Sequence, residues 1–298
     1  MLYPYRPSAL KNRHRWNFGV LFPESYSLAH PGVESSTMQI ECLVTGNAAT
    51  LVAVDLRFLH LGCHSDDAAA PTARLPARRE EGIERTMAAP EVALAQLGRA
   101  SLIVAFHFAA DERGKDGPAA TVLPVDGILE IAAAPVSERL YRLTAQVRNV
   151  TPFGVGQADR ERALPSALIS THMVLHVSAG EFVSLLDPPQ EYAESAAACR
   201  NVGAWPVLVG DQDQRQWLLA SPIILYDYPK IAPESPGDFF DGTEIDELLT
   251  LRVLTLTDTE KAQLRAGDAR ARELLERSEA LPEDYLLKLH GVLRGMDK

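Results

Sequence analysis

The chain has 298 residues, 46% of them hydrophobic and 23% charged, with a formal net charge of −11. That apolar content suffices for one large core or two ordinary ones, and the charged fraction is too close to the globular average for a disordered chain. The acidic balance removes any broad attraction for nucleic acid or anionic lipid, and no apolar run approaches the ~20 residues of a membrane-spanning helix.

Residues 1–35 read as an irregular N-terminal arm, with Pro4, Pro7, Pro23 and Pro31 among scattered aromatics, or as an irregular segment packed on the domain. Tyr3, Tyr5, Arg6, Arg13, Arg15 and Trp16 could form a basic-aromatic grip, but the acidic remainder argues against nucleic acid as its target. The longest apolar run here, "FGVLF", is far shorter than a signal-peptide core. The three cysteines, Cys42, Cys63 and Cys199, are too few and too scattered for a disulfide framework. Both features point to a cytoplasmic protein.

In "MQIECLVTGNAATLVAVDLRFLHL" (38–61), Met38, Ile40, Cys42 and Val44 alternate, as do Val52, Val54, Leu56 and Phe58. Period two on both sides of a Gly-Asn turn predicts a hairpin. Residues 65–90 are polar and Ala/Pro-rich, and predict a surface loop with a short strand. "SLIVAFHF" (101–108), "DGILEIAA" (126–133) and "LYRLTAQVRNVT" (140–151) read as strands, and this spacing suggests an antiparallel β-sandwich.

The Gly/Pro connector at 152–165 marks a domain boundary. Beyond it, "THMVLHVSAGEFVSLL" (171–186) predicts a hairpin turning at "SAGE", and "DPPQEYAESAAACRNV" (187–202) predicts a helix behind an Asp-Pro start. "WPVLVGDQDQRQWLLASPIILYDY" returns to strands around a polar turn. Thr257 and Glu260 have capping-box spacing, and Leu264, Ala271, Leu274 and Leu275 then share one helical face. The fold class expected is α+β, mainly β. It has an antiparallel sandwich-like N-terminal lobe (36–155), a second β-rich lobe (156–256) and a helical C-terminal segment (257–298).

The densest metal-like cluster is His60, Cys63, His64 and Asp66, with Asp67 beside it. Zinc needs convergent soft or imidazole ligands, whereas His60 continues the apolar face of its strand and reads as a hydrogen-bonded core histidine. His172 and His176 would form a chelating pair on a helix, but on the strand predicted here they stand ~13 Å apart. There is no G-x-S-x-G elbow, no phosphate-binding loop and no dinucleotide fingerprint. Cys199 sits among alanines like a small buried thiol, and "NVT" at 149–151 matches a glycosylation sequon that has no meaning in a cytoplasmic strand. No cofactor is expected.

The most informative segment is "YDYPKIAPESPGDFFDGTEIDEL" (226–248). Its carboxylates, Asp227, Asp238, Asp241 and Glu244 among them, could supply an acid/base pair. A helix beginning near Thr243 also accounts for the acids from Asp241 onward, because they complement its free N–H groups. The remainder, "PKIAPESPGDFF", is a stiff proline-set loop ending in two aromatics. Lys230, Glu234, Asp238, Phe239 and Phe240 are therefore the candidate partner-binding residues.

At "MQIECLVTG", "LLDPP", "CRNVGAWPVLVG" and "SPIILYDYPKIAPESPGDFFDGTEIDELLTLRVLTLTD" the chain resembles an uncharacterised bacterial protein family whose genes lie near nickel–iron hydrogenase genes. The resemblance implies an accessory role and a protein partner, a hydrogenase subunit or maturation factor, and transfers no site residues. Two readings follow. One is a non-enzymatic protein-binding accessory protein. The other is a metal-dependent hydrolase or lyase using His60, His64, Asp66 or the 227–247 carboxylates. A homo-oligomer built through the sandwich edges is compatible with either.

Overall fold

A computed structural model of the protein describes residues 16–64, 79–113, 120–154, 159–212, 214–230, 253–265 and 269–281. The chain divides into two compact units, one spanning Trp16–Pro229 and one that takes in the chain from Lys230 onward.

The first unit is mainly β, as expected. Strands β1 (Thr37–Thr45), β2 (Leu51–His64), β3 (Arg79–Ala88), β4 (Val92–Ala93), β5 (Leu102–Phe108), β6 (Asp111–Arg113) and β7 (Ala120–Val122) come first. They are followed by β8 (Val125–Pro135), β9 (Leu140–Asn149), β10 (Ile169–Ser178), β11 (Glu181–Val183), β12 (Trp205–Leu208) and β13 (Trp217–Ser221). They form a five-stranded sheet, β11-β1-β9-β8-β5, and an eight-stranded sheet, β12-β13-β10-β2-β7-β6 with β3 and β4 also on β2. All pairings are antiparallel.

Period-two alternation turns one face of each sheet inward. Met38, Ile40, Cys42 and Val44 of β1, and Leu143, Ala145 and Val147 of β9, meet Val52, Val54, Leu56 and Phe58 of β2 in one core. Met173, Leu175 and Val177 of β10 belong to the same core. Each fully buried Val, Leu, Ile or Phe contributes about 1.5–3 kcal/mol, so this shared interior holds the two sheets together. The connector at 152–165 carries the chain from β9 in one sheet to β10 in the other, and residues on both sides of it build the same core. At one site the sheet leaves no room for a side chain. Gly127 lies across from Phe106, whose ring atom Cζ would stand 2.0 Å from an added Cβ.

The two expected hairpins are not hairpins. β1 does not pair with β2, nor β10 with β11. Instead β10 runs beside β2 (Ser178 opposite Leu51) and β11 beside β1 (Glu181 opposite Thr45). The two segments turn the same corner together, each leaving one sheet for the other. Thr50, fully buried, ties the corner: its hydroxyl donates to Ala179 O at 2.9 Å and accepts from Asn47 N–H at 3.0 Å. Ala179 takes φ +54°, and a Cβ on Gly180 would lie 2.8 Å from Thr45 O and Thr50 Cγ2. The bend therefore requires a left-handed residue followed by a bare backbone.

Residues 16–35 pack on the sandwich, as the second reading of this stretch has it. Leu21 bridges to Ser35 and Leu168, and a short helix, α1 (Glu24–Ala29), follows. Phe22 and Tyr26 pack with Leu61, Ala163, Leu164 and Ile169 in a second cluster. Leu61 alternates with the inward-facing His60, so this cluster lies on the outer face of the eight-stranded sheet. Arg160 ties the layer down from a one-turn helix, α2 (Arg160–Ala163). It donates to Glu34 Oε1 at 3.0 Å and Trp16 O at 2.8 Å, with its guanidinium 5.5 Å from the Phe22 ring centre. The predicted helix at 187–202 shrinks to a 3-10 turn and α3 (Ala193–Ala197). It covers Leu43, Leu140 and Val183 on the outer face of the five-stranded sheet.

In the second unit, helices α4 (Asp258–Arg265) and α5 (Ala269–Glu279) are described. The capping box forms as the spacing predicts: Thr257 N–H donates to Glu260 Oε2 at 2.9 Å and Glu260 N–H to Thr257 Oγ1 at 3.4 Å. Lys261 and Arg265 both reach the Glu279 carboxylate, at 3.2 and 2.9 Å, and join the helices. These hydrogen bonds, the one from Lys261 foremost, hold the Glu279 carboxyl below its usual range. Among the described residues no helix is long and apolar enough to cross a membrane.

Candidate functional site

The surface feature that stands out is the strip that leaves β13. After Ser221 the chain runs through "PIILYDY" (222–228) without joining a sheet. Ile223, Ile224 and Tyr226 face solvent, Ile224 and Tyr226 with 76% and 87% of their surface exposed. Trp205, paired with Ser221, and Trp217 at the other end of β13 are also exposed. Trp217 packs against the His176 ring at 4.3 Å between centres.

Exposed apolar residues on a loose loop say little. Here the backbone is held on both sides. Ile223 N–H donates to Ser221 Oγ at 3.2 Å. Asp227 turns inward, its Oδ1 accepting from Leu208 N–H at 2.7 Å and its Oδ2 from the Ser184 hydroxyl at 2.5 Å. Ser184 Oγ in turn accepts from Leu186 N–H and Asp187 N–H, at 3.1 and 2.9 Å. Tyr228, at φ +54°, donates its N–H to Leu208 O at 2.7 Å and its hydroxyl to Gln214 O at 3.3 Å. Hydrogen bonds to an ionised carboxylate are roughly twice as strong as neutral ones, so Asp227 is a firm anchor. It sits in the carboxylate-rich segment that suggested acid/base chemistry, yet both its oxygens are committed to holding the chain.

Of the predicted partner-binding residues, Lys230 is exposed two residues beyond this anchor. Glu234, Asp238, Phe239 and Phe240 lie outside the described residues, as does the predicted helix start near Thr243.

Of the metal-like cluster, two side chains are described, those of His60 and Cys63. His60 is fully buried, and its Nε2–H donates to Leu123 O at 2.7 Å. Its Nδ1 is buried with no hydrogen-bond partner. Burial lowers the imidazole pKa to about 4, against the Leu123 hydrogen bond, and the Arg85 charge lowers it further. It is a neutral core histidine. Cys63 lies three residues along the same strand and so points to the opposite face. Asp66 and the His64 side chain lie outside the description. Among the described residues no three His, Cys, Asp or Glu side chains are grouped so as to hold a metal ion.

His172 and His176 lie on strand β10 with separate contacts. His172 Nδ1 donates to Ser170 O at 2.7 Å, and His176 packs against Trp217 with its ring tilted. Cys42 is buried in the core and Cys199 half-buried with its thiol on Ser195 O at 3.5 Å. Burial raises both thiol pKa values, so neither is an activated thiolate.

Sequence reasoning missed one residue of structural weight. Asn149, dismissed as a sequon, is fully buried and donates to Leu21 O at 2.8 Å and Ser166 O at 2.9 Å. Its Oδ1 accepts from Thr151 N–H at 3.0 Å. Both amide hydrogens are used, so the side chain is unavailable for glycosylation in the folded protein. The signal was present: Asn149 continues the inward series Leu143, Ala145, Val147, where a polar side chain must find partners.

The sequence matches no protein-family model and no curated protein.

Proposed function

We propose that the protein is a non-enzymatic accessory protein that binds another protein through the strip 223–226, and that the proline-set sequence from Lys230 to Phe240 serves partner binding as well. The observation that carries this reading is the exposure of Ile224 and Tyr226 on a backbone fixed by Asp227 and Tyr228. Apolar side chains held in water on a fixed backbone favour association, because the backbone does not have to be ordered on binding. Large aromatic and aliphatic anchors of this kind dominate protein–protein affinity. The resemblance noted above supplies the class of partner, a cytoplasmic nickel–iron hydrogenase subunit or maturation factor.

The test is affinity capture from the native host with partners identified by mass spectrometry. The wild-type chain is expected to retain a hydrogenase subunit or maturation factor. The pairs Ile224→Ser with Tyr226→Ser, and Phe239→Ala with Phe240→Ala, are expected to lose it while melting as the wild type does. Capture unchanged by both pairs, or lost only in step with stability, would overturn the reading.

A further inference from the structure

The strip 223–226 has a neighbour brought to it by one hydroxyl. Ser184 Oγ donates to Asp227 Oδ2 and accepts from both Leu186 N–H and Asp187 N–H. The chain that leaves β11 therefore lies beside the strip, although 43 residues separate Ser184 from Asp227. Leu186 is 55% exposed and adds an apolar side chain to those of Ile223, Ile224 and Tyr226.

The charges that go with these side chains are mostly of one sign. The sequence "DPPQEYAE" (187–194) holds Asp187, Glu191 and Glu194, all three exposed, and no base. The sequence that continues from Lys230 carries six carboxylates before its next base, Arg252. The bases close by are Lys230 itself and Arg215, whose carbonyl accepts Phe182 N–H next to the exposed Glu181. They leave the acids in excess.

We propose that the partner segment received here is basic as well as apolar: a stretch of the partner protein whose large apolar side chains are flanked by lysine or arginine. This rests on the reading of the strip as a protein-binding surface and adds the partner's chemistry to it. The two kinds of group divide the work. Apolar anchors such as Ile224, Tyr226 and Leu186 supply most of the affinity. The carboxylates beside them select the sign of the partner's charge and speed its approach, because complementary potentials steer encounter and like charges penalise the wrong partner. An apolar segment flanked by carboxylates would meet like charge at Asp187, Glu191 and Glu194, in a chain whose net charge of −11 already repels it.

Two synthetic peptides of about 18 residues test it by fluorescence anisotropy on the full chain. One is built of leucine and lysine at amphipathic spacing, and the other has glutamate in place of each lysine. The lysine peptide is expected to bind about tenfold more tightly or better, and to lose that advantage as salt rises from about 50 to about 300 mM. Asp187→Lys with Glu191→Lys is expected to weaken the lysine peptide about tenfold and to strengthen the glutamate peptide. Glu24→Lys with Glu91→Lys makes the same change of charge at exposed carboxylates on other elements, and is expected to shift binding by less than about threefold. Ile224→Ser with Tyr226→Ser is expected to lose the lysine peptide, with every variant melting as the wild type does. Equal binding of the two peptides, or equal effects of the two charge-reversal pairs, overturns the inference of a basic partner. If Ile224→Ser with Tyr226→Ser still abolishes binding in that case, the strip stands as a binding surface. A lysine peptide indifferent to Ile224→Ser with Tyr226→Ser overturns the inference and the reading of the strip together. Binding of neither peptide also overturns the inference, and capture from the native host then decides the reading of the strip alone.

Discussion

Two irregular segments run over the sandwich, residues 16–35 and residues 222–228, and among the fastenings of each is one inward-turned polar side chain. Asn149 holds the first through Leu21 O, and Asp227 holds the second through Leu208 N–H. What they do with their apolar residues is opposite. The first buries Phe22 and Tyr26, whereas the second leaves Ile224 and Tyr226 in water. A fastened segment that buries its aromatics has been recruited to the core. A fastened segment that displays them adds nothing to the core, and its order serves the surface. Pinning alone therefore does not reveal a role; pinning together with exposure does.

The difference can be broken at the first pin with the largest effect. Asn149→Ala leaves Ser166 O and Thr151 N–H without their partner and opens a cavity, while Leu21 O keeps the Leu168 N–H bond. We expect a loss of about 3–4 kcal/mol. In a unit of this size each kcal/mol lowers the melting temperature by roughly 2–4 °C. Calorimetry checks it.

Acid acts on both segments through a group in neither. His60 is neutral in the fold, with its pKa lowered to about 4, and takes a proton near 6.5 once unfolded. Between those values the unfolded chain binds more protons, so stability is complete above pH 6.5 and is lost as pH falls toward 4. The loss amounts to about 3 kcal/mol. We expect the part of the acid slope due to His60 to be missing in His60→Gln. Hydrogen exchange at 16–35 and 222–228 should rise together if they belong to one cooperative unit.

The smallest effect is expected at the second pin. Asp227→Asn keeps the shape but gives up the charge-assisted bonds, for a loss of about 1 kcal/mol. Its signature is local: faster amide exchange at Ile223, Ile224 and Tyr226 with little change at 16–35. Equal destabilisation by Asn149→Ala and Asp227→Asn would erase the distinction between the segments.

Much of the sandwich was legible from residue patterns. The alternation in 38–44, 52–58 and 141–147 named the inward faces, and the Thr257 capping box was read from four residues because its contacts are local. Pairing was not legible. A period-two pattern says which face is buried, not which neighbour lies at the edge, and a hairpin buries the same face as a corner. The choice at Gly46–Asn47 depends on Thr50 reaching Ala179, far along the chain. The candidate site was legible in part. The segment after Tyr226 drew attention for its prolines and aromatics, but the role of Asp227 as an anchor depends on Leu208 and Ser184, which no local rule connects to it.

The corner shared by β1–β2 and β10–β11 also sets a timetable. Along Leu51–Leu59 one edge of β2 pairs, among the described residues, with β10, and β10 begins at Ile169. At about 5–20 residues per second, a nascent chain therefore carries the apolar face of β2 incompletely sheltered for several seconds after it emerges. Contacts this distant in sequence also slow closure of the fold. The interval between the synthesis of Leu51 and that of Ser178 is when this protein is most exposed to mispairing and most dependent on whatever receives it at the ribosome.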